Sequence, residues 1–240
     1  MPSNSTNPTR DAASPRWVAA QERESAVWRR LGRAQPDYLA RRGAFLDAWL
    51  AFWDAGGERV LEIGGAGMPV LDYLTGFTER YAVDPLMKEY ERLFGARGEP
   101  ARAEALPFPD GHFDAVVLLN VLDHVDEPDR ALREVARVLH PTRGKLFLSC
   151  DTYARTWLRL RGLRIALRGK RNNDWLHPHH FTVASLVRRV AREFEILESS
   201  ERFSDPLLGA RARRTAYPAG GWRARLKREG RVYIVARPKV

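Results

Sequence analysis

Apolar positions along the chain follow two rhythms. Short runs at Val60 to Ile63, Arg80 to Val83, Phe113 to Leu118, Lys145 to Ser149, Phe194 to Glu198 and Arg231 to Ala236 have the length of strands, and the unbroken Phe113–Leu118 run suits a strand buried on both faces. Between them the spacing turns helical. From Glu127 to Leu139, the residues Ala131, Leu132, Val135, Val138 and Leu139 form one stripe. Pro69 to Leu74, Leu86 to Phe94 and Val183 to Arg192 also read as helices. Strand and helix in alternation require a parallel sheet with right-handed crossovers.

Two further helices precede the first strand, Arg16 to Leu31 and Asp37 to Trp53, separated by Pro36 and rich in aromatic residues. Met1 to about Ser14 is polar and predicts a disordered tail. After the fifth strand, Tyr153 to Arg171 interleaves Trp157, Leu160, Leu163 and Leu167 with Arg155, Arg159, Arg161, Arg164 and Arg168. That pattern fits a basic amphipathic helix, or a helix pair broken near Gly162. Arg202 to Lys227, rich in Gly, Pro and Arg, is long enough for a mobile flap.

Chemistry enters at the end of the first run. Val60-Leu61-Glu62-Ile63 leads into Gly64-Gly65-Ala66-Gly67, where missing side chains let backbone N–H groups approach a ligand. Asp84, followed by Pro85, ends the next strand about twenty residues on, where a carboxylate can accept both ribose hydroxyls of an adenosine. A helix N-cap is the other use for such an acid. A dinucleotide fingerprint beginning at Gly65 would place its third glycine on Val70.

With Glu62 before the glycines, the chain resembles the class I S-adenosylmethionine-dependent methyltransferases. The resemblance extends through Ala103-Glu104-Ala105-Leu106-Pro107-Phe108-Pro109-Asp110-Gly111-His112-Phe113-Asp114 and Asn120-Val121-Leu122-Asp123-His124 to Arg133–Pro141, in the manner of the ubiquinone and menaquinone methyltransferases and related small-molecule enzymes. It implies a Rossmann-like α/β fold: seven strands, mostly parallel, helices on both faces, an N-terminal helical cap, and an antiparallel last strand between the fifth and sixth. It also implies S-adenosyl-L-methionine as cofactor, held by Glu62, Gly64, Gly65, Ala66, Gly67, Asp84, Pro85, Ala103, Glu104, Ala105, Asn120 and Val121. Two departures stand out. Ala66 and Met68 occupy the second and third glycine positions of the family turn, and Arg102 replaces the usual Asp before the Ala-Glu pair.

A sulfonium methyl is already activated, so such an enzyme chiefly aligns an acceptor behind it; a base is needed only where the acceptor keeps its proton. His124, His177 and His180 are the candidate bases. Asp123-His124 reads equally as a capping and orienting pair. Asp174 with two of His177, His179 and His180 has donor types for a metal, but no second ligand pair at helical spacing lies nearby, and no metal is expected.

The 240 residues, 44% hydrophobic, suit one domain. Its parts are a tail at 1–15, a helical cap at 16–55, a cofactor-binding core at 56–150, and a lid insertion with the C-terminal half at 151–240. One cysteine, Cys150, excludes an internal disulfide framework, and the absence of a long apolar run leaves the cytoplasm as the expected location. The net charge of +10 is concentrated past residue 150, where 21 Lys and Arg face 8 Asp and Glu. An anionic small-molecule acceptor fits that excess; nucleic acid is the alternative, although the Asn/Asp-Pro-Pro-aromatic clamp of nucleic-acid enzymes is absent after the fourth strand.

Overall fold

The computed structural model describes residues 13–31, 36–65, 70–87, 98–168, 177–200 and 228–239. Seven strands form one sheet: β1 (Gly57–Ile63), β2 (Phe77–Val83), β3 (Gly98–Glu99), β4 (Ala115–Leu119), β5 (Lys145–Tyr153), β6 (Phe194–Ser200) and β7 (Arg228–Pro238). Their order is β3-β2-β1-β4-β5-β7-β6. The first five are parallel, and β7 runs antiparallel to both β5 and β6. This is the Rossmann-like arrangement expected, with the last strand inserted as predicted.

Alternation along the strands sorts side chains to the two faces. Leu61, Ile63, Leu146 and Leu148 join one buried cluster with the stripe of α3 (Pro128–Val138) and with Leu186 and Val190 of α5 (Val183–Val190). Val60, Val117 and Phe147 join the other with Leu46, Trp49 and Leu50 of α2 (Pro36–Phe52). Trp49 meets Phe147 and Tyr233 edge-on at centroid distances of 5.1 and 5.6 Å. Trp49 of α2 is therefore part of the core, with Phe45 packed on it and Phe52 exposed, while α1 (Pro15–Leu31) lies over the loops at the strand ends. There the Trp17 indole donates to the His124 carbonyl at 3.0 Å and Arg16 donates to the Pro178 carbonyl.

Several elements differ from expectation. The helix predicted from Pro69 is one 3-10 turn, Leu71–Tyr73; Asp47 of α2 accepts the N–H and hydroxyl of Thr75, and β2 begins at Phe77. The α4 helix runs unbroken from Arg155 to Arg168 through Gly162. Ser14 is fixed rather than part of a loose tail: its N–H and hydroxyl donate to Asp126, and its oxygen accepts the Trp17 N–H as a helix N-cap would. The Leu86–Phe94 helix beyond Met87, the tail to residue 12 and the 202–227 flap lie outside the described residues. No helix among the described residues is long and apolar enough to cross a membrane.

Candidate active site

The crevice lies where β1, β2 and β4 end together. Ile63 pairs with Val83 on one side and with Leu118 on the other. The Gly64 N–H donates to the Val83 carbonyl at 2.8 Å, which sets the glycine turn beside Asp84. Ligands of open α/β sheets bind outside such strand ends.

Backbone geometry explains the first two glycines. Gly64 has φ +77°, and a Cβ there would stand 2.4 Å from Val121; only a residue without one follows this path at low cost. A Cβ on Gly65 would meet the Glu62 carboxyl carbon at 2.5 Å. Glu62 is folded back under the turn, 2% exposed, and its Oε2 accepts the Val70 N–H at 3.3 Å. Burial, with a smaller push from Asp84, raises its pKa to about 7 against the pull of Arg42 and the Val70 N–H. Glu62 thus braces the far end of the loop. Ala66 and Gly67 lie outside the described residues.

Asp84 serves the use that competed with ribose binding: its Oδ1 accepts the Leu86 N–H at 2.8 Å. A carboxylate has further lone pairs, so this bond and a sugar hydroxyl are compatible. Pro85 is exposed in the following turn.

Ala103 is packed in the core, and Ala105 is exposed with its N–H on the Arg102 carbonyl. Glu104 is engaged within the fold. Its Oε1 accepts the N–H groups of Asp126 and Glu127 at 2.7 and 3.1 Å and an Arg102 N–H at 3.3 Å. This oxygen ties the loop before α3. Asn120 likewise turns to β5: its Oδ1 accepts the Asp151 N–H at 3.2 Å, and its backbone is left-handed at φ +62°. Val121 packs on Gly64.

Past Val121 the loop brings together two of the three candidate bases. Asp123 is fully buried, with His177 Nδ1 2.7 Å from its Oδ2. His124 Nδ1 lies 3.2 Å from Glu24 Oε2 of α1, and its Nε2 faces Asp123 Oδ1 at 3.9 Å. The rings of His124 and His177 are 4.4 Å apart. Burial pushes Asp123 up, but the His177 hydrogen bond and the two imidazoles hold it below the usual carboxylate range. Burial also pulls His124 down; Glu24, Asp123 and Asp151 outweigh it and raise it to about 9. His180 stands apart, 4.9 Å from the Tyr153 ring and 6.5 Å from His177.

Asp123, His124 and His177 each offer a ligand atom within 4.8 Å of the others, a donor set that the sequence reading had not grouped. Asp174 lies outside the described residues. Glu24 had also been missed. Asp123 and His177 are 54 residues apart and Glu24 and His124 are 100 apart, so no local spacing could pair them. The available signal was the acid and imidazole of Asp123-His124 set between the apolar Leu122 and Val125.

Residues 61–148 match the sequence profile of the methyltransferase domain family. That stretch is thus similar to methyltransferase domains. The ubiquinone/menaquinone biosynthesis C-methyltransferase UbiE of a Shewanella species is 52% identical over 129 residues, which cover 40% of this chain and 47% of the relative. The UbiE protein of Hahella chejuensis is 34% identical over 107 residues, covering 38% and 43%. The chain thus spans about half the length of these relatives. Among solved structures, the chain is similar to an S-adenosylmethionine-dependent methyltransferase from Mesorhizobium loti, with TM-score 0.54, 19% identity and coverage of 80% of this chain and 97% of that one. It is equally similar to the [4+2]-cyclase SpnF, with TM-score 0.54, 20% identity and coverage of 82% and 81%. At these identities the likeness establishes the fold, and the cyclase illustrates that one fold serves different reactions.

Proposed function

We propose that the protein transfers the methyl group of S-adenosylmethionine directly to a small-molecule acceptor. The observation that carries this reading is the alignment of the Gly64 turn with Asp84 across β1 and β2, next to the Asp123–His177 pair at the end of β4. The absence of side-chain space at Gly64 and Gly65 and a buried acid on the neighbouring strand fit the cofactor, which supplies a methyl on a positively charged sulfur when bound.

The chain's own residues do the rest. Glu62 and Val121 hold the turn from below and from the side. Asp84 accepts from the ribose, and Ala103 contributes backbone near the adenine. The α1 helix covers the strand-end loops through Trp17, which excludes water and helps hold an acceptor in line. The Asp123, His124 and His177 cluster, with His180 beyond it, lies at the acceptor end; His124, raised to about 9, already carries its proton at neutral pH, so His177 and His180 are the bases open to a hydroxyl or acidic carbon acceptor. Exposed Arg155 and Arg159 at the start of α4, near the Tyr153–Trp157 stack, favour an anionic acceptor. A cytoplasmic location belongs to the same reading.

The test is transfer of label. The chain is incubated with methyl-labelled S-adenosylmethionine and either a small-molecule extract or total RNA. Label in the small-molecule fraction supports the reading. Label in RNA, or in neither, overturns it.

A further inference from the structure

We propose that Asp123, His124 and His177 form a site for one divalent transition-metal ion. The inference deepens the methyltransferase reading and, for the ion's role toward an acceptor, rests on it; the site itself stands on geometry.

Three observations converge. First, Asp123 Oδ1 is buried without a hydrogen-bond partner, in a side chain with no exposed surface, while Oδ2 is occupied by His177. A bare buried carboxylate oxygen is costly to leave unmatched. Second, His124 Nε2 lies 3.9 Å from that oxygen. This is too far for a hydrogen bond, but two donors each about 2 Å from one ion stand roughly 3 to 4 Å apart. Third, Glu24 Oε2 sits 3.2 Å from His124 Nδ1. A carboxylate on the far nitrogen orients an imidazole and raises its basicity, as acids behind metal-bound histidines do. With His177 as third donor, all ligand atoms fall within 4.8 Å of one another.

Two imidazoles and one carboxylate with coordination positions left open suit Zn2+, Fe2+, Mn2+ or Co2+ better than Mg2+ or Ca2+, which favour oxygen donors. At the acceptor end of the crevice, an open position selects acceptors with an oxygen donor. The ion lowers the pKa of that oxygen on binding it, so the acceptor releases its proton to solvent before methyl transfer without a lone imidazole as base.

The full, untagged chain is stripped with chelator and titrated with Co2+. The expected result is a saturable one-to-one visible absorption spectrum, lost when Zn2+ is added. Asp123→Asn and His177→Ala each weaken binding at least tenfold, and Glu24→Gln, on α1 outside the ligand set, weakens it 10- to 100-fold. Circular dichroism confirms that each variant is folded, and His179→Ala, outside the cluster, keeps the parent affinity. A missing spectrum, or one that Glu24→Gln and His124→Gln leave unchanged, overturns the metal site. Titration with S-adenosylhomocysteine separates the two claims: cofactor binding without Co2+ binding overturns only the metal, and Co2+ binding without cofactor binding overturns only the methyltransferase reading.

Discussion

The two ends of the crevice are built in opposite ways. The cofactor end comes from neighbouring stretches of chain: Glu62 to Gly65 on one strand end and Asp84 on the next, joined by the Gly64 N–H to Val83 bond. The end we assign to the acceptor is collected from α1, the loop after β4 and the segment before α5, and its centre is one buried acid, Asp123. The first depends on backbone shape and the second on paired charges. Substitutions should therefore separate them.

The largest effect is expected at the acceptor end. Asp123→Ala leaves the imidazoles of His124 and His177 without their shared carboxylate and should cost about 3–5 kcal/mol of stability in denaturant unfolding, with S-adenosylhomocysteine affinity little changed. A large loss of cofactor affinity in the folded variant would mean that the two ends are one unit.

Glu62 tests the cofactor end through pH. Its folded pKa of about 7 lies above the ordinary 4.5, so folding favours the protonated form. That contribution is complete below about 4.5 and is lost as pH rises through about 7, a span of about 3 kcal/mol. Glu62→Gln should flatten this part of the stability–pH curve, measured by urea unfolding at several pH values; an unaltered slope would contradict the buried placement.

Gly64→Val demands a left-handed backbone from a branched residue and drives it into Val121. Loss of S-adenosylhomocysteine affinity by about 100-fold is expected by calorimetry, from strain and overpacking together. Cobalt binding at the acceptor end should survive. The smallest effect is expected at Asp84→Asn. Asparagine still caps the Leu86 N–H, so the melting temperature should hold, while cofactor affinity falls about tenfold through loss of one charged hydrogen bond to ribose. Unchanged affinity would reduce Asp84 to a cap.

The same contrast decides what could be read from the sequence. Six of the seven strands and the stripe of α3 were legible because apolar periodicity reports them directly, whereas the antiparallel insertion of β7 came from the family resemblance alone. The two-residue β3 was too short to leave such a pattern. The glycine turn and Asp84 were found because they are consecutive features of one strand–turn–strand stretch. The hydrogen bonds of Glu62 and Glu104 within the protein were not legible, because each takes N–H groups of loops that adjoin it only in the fold. Periodicity likewise extended the Pro69 helix, where Asp47 from α2 ends the turn at Thr75. The Asp123–His177 and Glu24–His124 pairs depend on contacts across more than fifty residues, and His180 remained outside the cluster because it packs on Tyr153 instead.

The central claim is that the ends of β1 and β2 hold an adenosyl cofactor between the Gly64 turn and Asp84. Isothermal titration of the intact chain with S-adenosylhomocysteine tests it most directly. The account predicts saturable one-to-one binding that Gly64→Val removes; absence of binding by the folded wild-type chain would contradict it.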